Sequence, residues 1–415
     1  MGTLFRIAWR NLLRGWRRSA IVISAIAVGL TACLVLVGWS HGWVRQIADT
    51  AVSTKLALLA VHAAGYQANP EVERTLADGG RQLSAVLETF PGARVSARVL
   101  GDALAQSPRQ SARVALVGVD PAREARVSVV ARSFASGGFP EPTPSGVART
   151  LPGAAIGGEL ADTLRVKLGD KLVLHAPGEN GLAAFRISGV FHSGSLAFDK
   201  STVFLQLGDA QRLLGLGDQV HELAVALDDP RRLPELYAFA QAKLPAVRPG
   251  ESVEVLTWKE REPRLAAILD LMTSTAWITY ATLFAGMAFG IANALLMSVY
   301  ERMREFGVLR SLGLPARDLV WMVLIESLLL TVGGAVLGVA IGAACVAWMG
   351  HHGVNLAAFA EGLTQMGAGA TVYPNLERPD FASPVALAFL TAFVAAIWPA
   401  WQAARLRPAE ALRHV

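Results

Sequence analysis

Four long apolar runs constrain this chain more than any other feature of its sequence. A helix needs about 20 consecutive apolar residues to cross a hydrocarbon layer about 30 Å thick. Each run meets that length, and the third is interrupted only by Glu326. We therefore predict four transmembrane helices, formed by the runs Ala20–Trp39, Ala276–Val299, Leu319–Met349 and Pro384–Ala404.

The first run is interpreted as an uncleaved anchor. Its apolar stretch is longer than the apolar core of a signal peptide, and no small-x-small cleavage site follows it.

Arginine is distributed asymmetrically around the predicted spans. Excess Lys and Arg marks cytoplasmic loops, whereas the loop between spans three and four sets Arg378 against Glu361, Glu377 and Asp380. We predict that both termini are cytoplasmic and that the segment between spans one and two lies outside. This asymmetry accounts for the net charge of +5, so no nucleic-acid partner is predicted. The cytoplasmic arginines are Arg6, Arg10, Arg14, Arg17, Arg18, Arg302, Arg304, Arg310, Arg317, Arg405, Arg407 and Arg413.

The chain divides into four predicted segments. Residues 1–18 form a cytoplasmic amphipathic helix, with Leu4, Ile7, Ala8 and Leu12 on one face, that lies on the membrane or contacts a partner. Residues 19–55 form span one with an outward extension, residues 56–265 an α+β domain, and residues 266–415 the remaining three spans, at about 275–299, 319–349 and 384–404.

The composition of the outer domain is that of a soluble protein. Alternating apolar residues predict strands at 112–119, 171–176 and 184–191. Helical patterns occupy 74–90, 208–216 and 234–244, and a further helix over 257–272 leads into span two. The segment "SGGFPEPTPSG" (136–146) is predicted to be a surface loop and not a strand.

No motif for catalysis or metal binding is found in the sequence. Walker A, HExxH and CxxC patterns are absent, and the GxSxG match "GWSHG" (38–42) lies at the end of the first apolar run and not in a strand-to-helix turn. His351, His352 and Glu361 match no ligand spacing and are interpreted as loop residues. Other unassigned polar residues are Asp162, Asp170, Glu179 and Asp199, and Cys33 and Cys345 are interpreted as small apolar residues within spans. We assign no catalysis and no metal site to the chain.

Small residues repeat every four positions in spans two and three. Such a stripe lets helix backbones approach closely, either within one chain or across a dimer. The residues are Gly286, Gly290 and Ala294 in span two, and Gly334, Gly338 and Gly342 in span three. Glu326 lies about two turns inside span three, where a carboxylate is costly and usually faces a partner or a wet cavity. So near the end of the span, the alternatives are that it snorkels to the surface or pairs with an arginine such as Arg317. We predict a structural or energy-coupling role for Glu326.

The loop "VYERMREFGVLRSLGLPARDL" carries more ordered charge than a simple connector needs. Read as a helix over 300–312, it places Met303, Phe306 and Leu309 along one edge. Glu301 with Arg304, and Arg302 with Glu305, form opposite-charge pairs at i,i+3. Gly313 then suits a left-handed helix stop. The pattern is typical of a helix that either lies on the membrane or docks into a protein groove.

Three stretches of the chain resemble permeases of the FtsX/MacB superfamily of ABC transporters. They are "ANALLMSVYERMREFGVLRSLGL", the tail "WPAWQAARLRPAEALRH" and the N-terminal "AWRNLLRGWRRS". The outer stretch beginning "LPGAAIGGELADTLRV" is similar to the MacB-type periplasmic core domain. With no ATPase motif in the chain, the resemblance is greatest to the lipoprotein-releasing Lol permeases.

The resemblance implies a bacterial inner-membrane protein with four transmembrane helices, an α+β periplasmic domain between the first two, and an FtsX-like domain over 266–415. Segment 300–313 would be a coupling helix received by a separate ATPase, which binds ATP and Mg²⁺, so no cofactor is expected in this chain. Two permease chains, identical or paralogous, would pair with two ATPases, membrane lipid and a periplasmic carrier or adaptor. The docking residues carried over are Glu301, Arg302, Arg304, Glu305, Phe306, Gly307, Leu309, Arg310, Leu312 and Gly313.

Three functions remain open from the sequence. Lipoprotein export is the first, MacB-like efflux of peptides or amphiphiles the second, and FtsX-like signalling to a cell-wall hydrolase the third. The outer domain is larger than FtsX-like signalling modules usually carry, which favours the first two.

Overall fold

The chain folds into two compact units. The computed structural model describes residues 6, 9–10, 12, 14–142, 151–178, 181–247, 252–355 and 371–405. A helical unit comprises Met1–Val44, Leu269–Asn355 and Thr371–Val415, and an α+β unit comprises Arg45–Ile268 and Leu356–Ala370. Leu4, Ile7 and Ala8 of the predicted amphipathic helix, and the tail from residue 406, lie outside the described residues.

Four helices of the described chain are long and apolar enough to cross a membrane. Because a helix satisfies its own backbone hydrogen bonds, it is the form that an apolar run adopts in hydrocarbon. These helices are α1 (Trp16–Ala51), α9 (Pro263–Glu301), α11 (Ala316–His352) and α12 (Ala382–Arg405), with the short helix α10 (Met303–Ser311) between α9 and α11.

The core of the helical unit is an apolar cluster drawn from all four long helices. Ile26 and Leu30 of α1, Ile291 of α9 and Ala396 of α12 are almost fully buried in it. Leu330 of α11 completes the contact between the helices. Cys33 is a free, buried thiol in this cluster, and Cys345 is free and half-buried.

The glycine stripe of α11 packs against α1. A Cβ added at Gly334 would lie 2.6 Å from Cβ of Ile26, and one at Gly338 would lie 2.9 Å from the carbonyl oxygen of Ala27. Gly342 meets Leu34 in the same way, at 3.0 Å. The stripe of α11 therefore makes its contact within one chain, which is one of the two alternatives that the sequence left open.

The stripe of α9 is different. A Cβ at Gly286 or Gly290 would have no described atom within 4 Å, and both residues are exposed. Ala294 is half-buried beside the apolar cluster. The packing role of Gly286 and Gly290 stays a prediction, and a second chain is the alternative compatible with their exposure.

Within the α+β unit, the last turns of α1 pass into a π-helix (Val52–Leu56). Its helices are α2 (Arg81–Leu87), α3 (Pro121–Val127), α4 (Gly158–Leu164), α5 (Leu196–Ser201), α6 (Leu207–Leu214), α7 (Leu233–Val247) and α8 (Trp258–Arg261). Its strands are β1 (Leu59–Ala63), β2 (Ala93–Gln106), β3 (Ser111–Val119), β4 (Phe134–Gly137), β5 (Gly153–Gly157), β6 (Lys171–His175), β7 (Leu182–Phe191), β8 (Thr202–Gln206), β9 (Glu222–Leu227) and β10 (Val253–Thr257).

These ten strands form one mixed sheet in the order β10-β1-β9-β2-β3-β8-β5-β7-β4, with β6 paired to β2 and β7. The pairs β3–β8 and β5–β7 are parallel, and the other recorded pairs are antiparallel. The main core of the unit packs leucine, valine and phenylalanine side chains from strands and helices together, including Val99, Leu116 and Phe185.

Sequence reasoning located β3, β6, β7, α6 and α7 but missed several other elements. The predicted helix over 74–90 shortens to α2 after a 3₁₀ turn at Asp78–Gly80. The loop prediction for 136–146 is wrong at its start, because Gly137 pairs with Gly189 across a bulge in β4. Residues 143–146 of that segment and Glu179 lie outside the described residues.

The segment between α11 and α12 holds two further strands. They are β11 (Val354–Asn355) and β12 (Thr371–Val372), which pair antiparallel. His351 and His352 are the last two residues of α11 and not loop residues as predicted, and Nδ1 of His352 lies 2.9 Å from the carbonyl oxygen of Trp348. Glu361 lies outside the described residues.

The close contact of α1 with α11 generates the first prediction. Gly334→Val should overpack this contact and destabilise the helical unit by about 1–3 kcal/mol, measured as a lower thermal unfolding temperature in detergent. Gly290→Val is the matched control, because its new side chain meets open space. Equal stability of the two variants would contradict the packing of α11 on α1.

Candidate functional site

The short helix α10 is separated from α9 by a single residue. Arg302, with φ −108° and ψ 13°, breaks the helical geometry between Glu301 and Met303. Gly313 adopts φ +94° after the helix ends, and Pro315 caps the start of α11. The sequence predicted one helix from residue 300 to 312; the structure shifts its start to Met303 because α9 continues to Glu301.

The apolar edge of α10 faces inward. Phe306 is 1% exposed and packs with Val299, Leu319 and Ala403 in an apolar cluster at this end of the helical unit. Leu309 is half-buried against the same cluster. Residues of the same chain therefore cover Phe306 and part of Leu309, and contact of these two side chains with an ATPase stays a prediction.

Arg302 ties the start of α10 to α11. Its guanidinium donates to Oε2 of Glu326 at 3.0 Å and to Oε2 of Glu305 at 3.1 Å, and lies 5.1 Å from the centre of the Phe306 ring. Glu326 is 4% exposed. The sequence suggested Arg317 as its partner, whereas the structure provides Arg302. A buried carboxylate in an apolar helix thus gains the opposite charge that it requires.

The other end of α10 is held by α12. Nη1 of Arg310 donates to the carbonyl oxygen of Ala404 at 2.7 Å. Beside the start of α10, the hydroxyl of Tyr300 donates to Oε1 of Gln402 at 2.9 Å. A charge-assisted bond to a helix C-terminus is favourable because the last carbonyls of a helix have no intrahelical partner. The helix is therefore fastened to both α11 and α12.

The outer edge of α10 is exposed and carries both charge and apolar surface. Arg304, Val308 and Leu312 follow one another at helical spacing, with Val308 42% and Leu312 79% exposed. Of the ten predicted docking residues, Glu301, Arg304, Glu305, Leu312 and Gly313 are exposed, Arg302, Leu309 and Arg310 are half-buried, and Phe306 and Gly307 are buried.

A second polar constellation lies inside the α+β unit. Arg98 of β2 is almost fully buried and donates to Oε1 of Glu124 at 2.6 Å and to Oε1 of Glu222 at 3.1 Å. Arg261 of α8 donates to Oε2 of Glu222 at 2.6 Å. Two carboxylates and two guanidinium groups thus compensate one another in the interior, as buried charges must.

The same two arginines hold the chain that leads out of α1. Arg98 donates to the carbonyl oxygen of Lys55 at 2.8 Å, and Arg261 donates to that of Leu56. Glu222 binds both arginines, and these arginines bind the last two residues of the π-helix. The Glu222 carboxylate thereby links the end of the π-helix to α8, the short helix that precedes α9. We call Arg98, Glu124, Glu222 and Arg261 the buried charge cluster.

Charge compensation determines the ionisation of this cluster. Burial by itself would raise the pKa of the Glu222 carboxyl, but Arg261 and Arg98 outweigh it and lower that pKa. Burial also opposes charge on Arg98, yet Glu124 and Glu222 hold its pKa above the usual value. Glu222 and Arg98 are consequently charged at neutral pH.

Two buried histidines adjoin the cluster. His221 accepts a hydrogen bond at Nδ1 from the backbone N–H of Leu100 and contacts the carbonyl oxygen of Val72 through Nε2, an arrangement that suits the neutral ring. Nε2 of His62 lies 3.6 Å from Oε2 of Glu222. Burial lowers the pKa of both histidines.

Sequence analysis missed the buried charge cluster. A signal was present, because Arg98 and Glu222 interrupt or begin otherwise apolar strands, and a charged side chain buried there needs a partner. The partners come from other elements and no spacing pattern links them. The four acidic residues that were singled out are not brought together in the described structure: Asp162 is exposed, Asp170 accepts from the N–H of Lys167, Asp199 is buried against Ser193, and Glu179 is not described.

The histidine pKa values generate a prediction for pH dependence. Both pKa values are lower in the folded chain than the usual 6.5, so the unfolded chain binds more protons as pH falls below about 6.5. Stability contributed by these residues is present above that pH and lost below it. We expect the opening free energy of β1 and β9, measured by hydrogen exchange on the full chain, to fall between about pH 7.5 and pH 5.5.

His221→Gln should remove up to about 1.4 kcal/mol per pH unit from this slope. Ala238→Gln, at an exposed position of α7, changes no titratable group, so it is the control and should leave the slope unchanged. An unaltered slope in His221→Gln would contradict the assignment of a neutral buried ring.

Two family models match the chain. The MacB-like periplasmic core domain matches residues 19–242, which is more than half of the chain, and the FtsX-like permease C-terminal domain matches residues 277–408. The second match includes α10, Glu326 and α12.

Two curated relatives align with this chain over nearly the whole length of both proteins. The chain is 24% identical to the lipoprotein-releasing system transmembrane protein LolC of Xylella fastidiosa, with 97% of each chain covered. It is 22% identical to LolE of Haemophilus influenzae, with 99% of each covered. It is also 33% identical to the macrolide export protein MacB of Chlorobaculum tepidum over 30% of this chain and 17% of that one. The chain therefore belongs to the FtsX/MacB superfamily of ABC transporter permeases, as a bacterial inner-membrane protein with an α+β periplasmic domain.

Proposed function

We propose that this chain is the membrane subunit of an ABC exporter that releases lipoproteins from the inner membrane. ATP and Mg²⁺ are bound by a separate ATPase, and two permease chains, identical or paralogous, pair with two ATPases. A periplasmic carrier receives the lipoprotein. The coverage of LolC and LolE along their whole lengths supports this choice of cargo.

The observation that carries the proposal is the fastening of α10. Its inner edge is packed around Phe306, its start is ion-paired to Glu326 of α11, and its end is bonded to α12. A push on its exposed outer edge is thereby passed to two long helices and is not absorbed by a loose loop. An amphipathic helix with such an edge can be received by a groove in a partner.

Helix length supports transmission to the periplasmic side. Helix α1 has 36 residues and α9 has 39, so each is more than 50 Å long at about 1.5 Å per residue. A hydrocarbon layer is only about 30 Å thick. Each helix therefore extends several turns beyond the layer and moves as a rod. In this mechanism ATP shifts the balance between two discrete arrangements of these rods.

The arginine distribution supports the orientation that this mechanism needs. Arg304 and Arg310 lie on α10, and Arg14 and Arg17 lie at the start of α1. Positive side chains favour the cytoplasmic face, so α10 and both termini are placed there.

Efflux of peptides or amphiphiles is the second candidate. The observation favouring it is the higher identity to MacB, 33%, although that match covers only 30% of this chain. Lipoprotein release and efflux differ in the cargo that is moved, and both require an ATPase that supplies the energy.

The exposed edge of α10 generates a docking prediction. Val308→Asp should reduce co-purification of the ATPase about tenfold, which corresponds to about 1.4 kcal/mol, because it places a charge in the middle of the docking edge. The folded permease should persist, since Val308 is exposed.

Two other variants calibrate this test. Val129→Asp, at a similarly exposed valine of the α+β unit, should retain the ATPase. Phe306→Asp should instead lower the yield of folded permease, because it buries a charge without a partner. Normal ATPase binding by Val308→Asp would exclude this edge as the docking surface.

Cargo is tested by reconstitution. The permease and its ATPase in proteoliposomes should transfer a triacylated lipoprotein to a soluble carrier only when ATP is hydrolysed. Val308→Asp should abolish transfer, and Val129→Asp should not. ATP-dependent movement of a macrolide or a peptide without lipoprotein transfer would favour efflux.

A further inference from the structure

A cavity of about 640 Å³ lies in the α+β unit and has no role in the coupling scheme above. Its volume is in the range of small-molecule binding sites, about 300–1,000 Å³. Leu100, Val117, Phe198 and Phe204 contribute apolar wall, and the exposed Ala115 lies between them on β3.

The charged residues along this cavity are all compensated within the chain. Arg98 and Arg261 at its inner side are bonded to Glu222. At the rim, Nζ of Lys55 lies 2.8 Å from Oε1 of Glu262. The two remaining acidic residues pair with arginines, Glu71 with Arg74 and Asp102 with Arg113. Among the described residues that line the cavity, each charged side chain has an opposite partner, so the lining favours an apolar ligand over an ionic one.

The lining residues come in part from the helices that carry two of the predicted spans. Ala51 at the end of α1 and Leu265 at the start of α9 both line the cavity. For an inner-membrane protein, the apolar molecules at hand are lipids and lipid-anchored proteins.

We propose that this cavity binds a fatty acyl chain. The apolar wall covers the hydrocarbon, and the paired charges at the rim stay in water beside the polar part of the same molecule. A phospholipid and a lipoprotein both carry such a chain. The lipoprotein as source rests on the proposed function, and acyl-chain binding itself does not.

The experiment uses the complete permease with its ATPase in phospholipid nanodiscs. Two probes are compared: a triacylated lipopeptide and a phosphatidylethanolamine, each with a diazirine in one acyl chain. After irradiation, cross-linked peptides are mapped by mass spectrometry. We expect labelling in β3, β8 and α5, which hold Val117, Phe204 and Phe198.

Ala115→Trp fills the cavity from an exposed position and should reduce this labelling about tenfold, because the indole occupies the space of the chain. Ala238→Trp, at an exposed position of α7 that does not line the cavity, is the matched control and should leave labelling unchanged. Hydrogen exchange of the sheet confirms that both variants are folded.

Labelling by the lipopeptide identifies the lipoprotein as a source, and labelling by phosphatidylethanolamine alone identifies membrane lipid. Cross-links confined to α1, α9, α11 or α12 with both probes, or cavity labelling that persists in Ala115→Trp, would overturn the proposal. ATP-dependent lipoprotein transfer without cavity labelling would contradict this inference alone. Cavity labelling without transfer would contradict the proposed function alone.

Discussion

Hydrocarbon offers no hydrogen-bond partner to a peptide group, and this constraint determines most of the helical unit. Each apolar run must form a complete helix, because every unsatisfied N–H or C=O would cost several kcal/mol there. Since lipid also removes the hydrophobic drive between helices, close packing has to hold them together. The glycines of α11 supply that packing by letting α1 approach, with Gly334 against Ile26 and Gly338 against Ala27.

Buried ion pairs fix the relative positions of neighbouring elements more precisely than apolar packing alone does. In the helical unit Arg302 and Glu326 join α10 to α11, and in the α+β unit Glu222 is shared by Arg98 and Arg261. A buried ion pair contributes little net stability, but removing one partner leaves an expensive lone charge. Such pairs therefore tolerate few alternative arrangements. Both occur where a connecting segment meets a longer helix or strand.

The candidate site could be located from sequence but not oriented. Charge order and the Gly313 stop predict α10, but they do not show that Phe306 and Leu309 pack against their own chain. A period of 3.6 residues shows that a helix has an apolar edge, and it does not show whether that edge meets another chain or its own. Here Leu319 and Ala403, distant in sequence, cover it. The same limit applies to Glu326: the sequence offered Arg317 as one partner among several alternatives, and the structure pairs Glu326 with Arg302.

The sequence by itself determined the four apolar helices, their order, the presence of an α+β domain and the existence of a short charged helix. These features depend on apolar run length, local periodicity and turn residues, all of which are properties of neighbouring positions. Only the tertiary structure decided the ten-stranded order of the sheet, the buried charge cluster, the cavity beside it and the free edge of α10. Each of these features depends on contacts between residues far apart in the sequence. Such contacts are determined by the packing of the whole core and not by the local sequence.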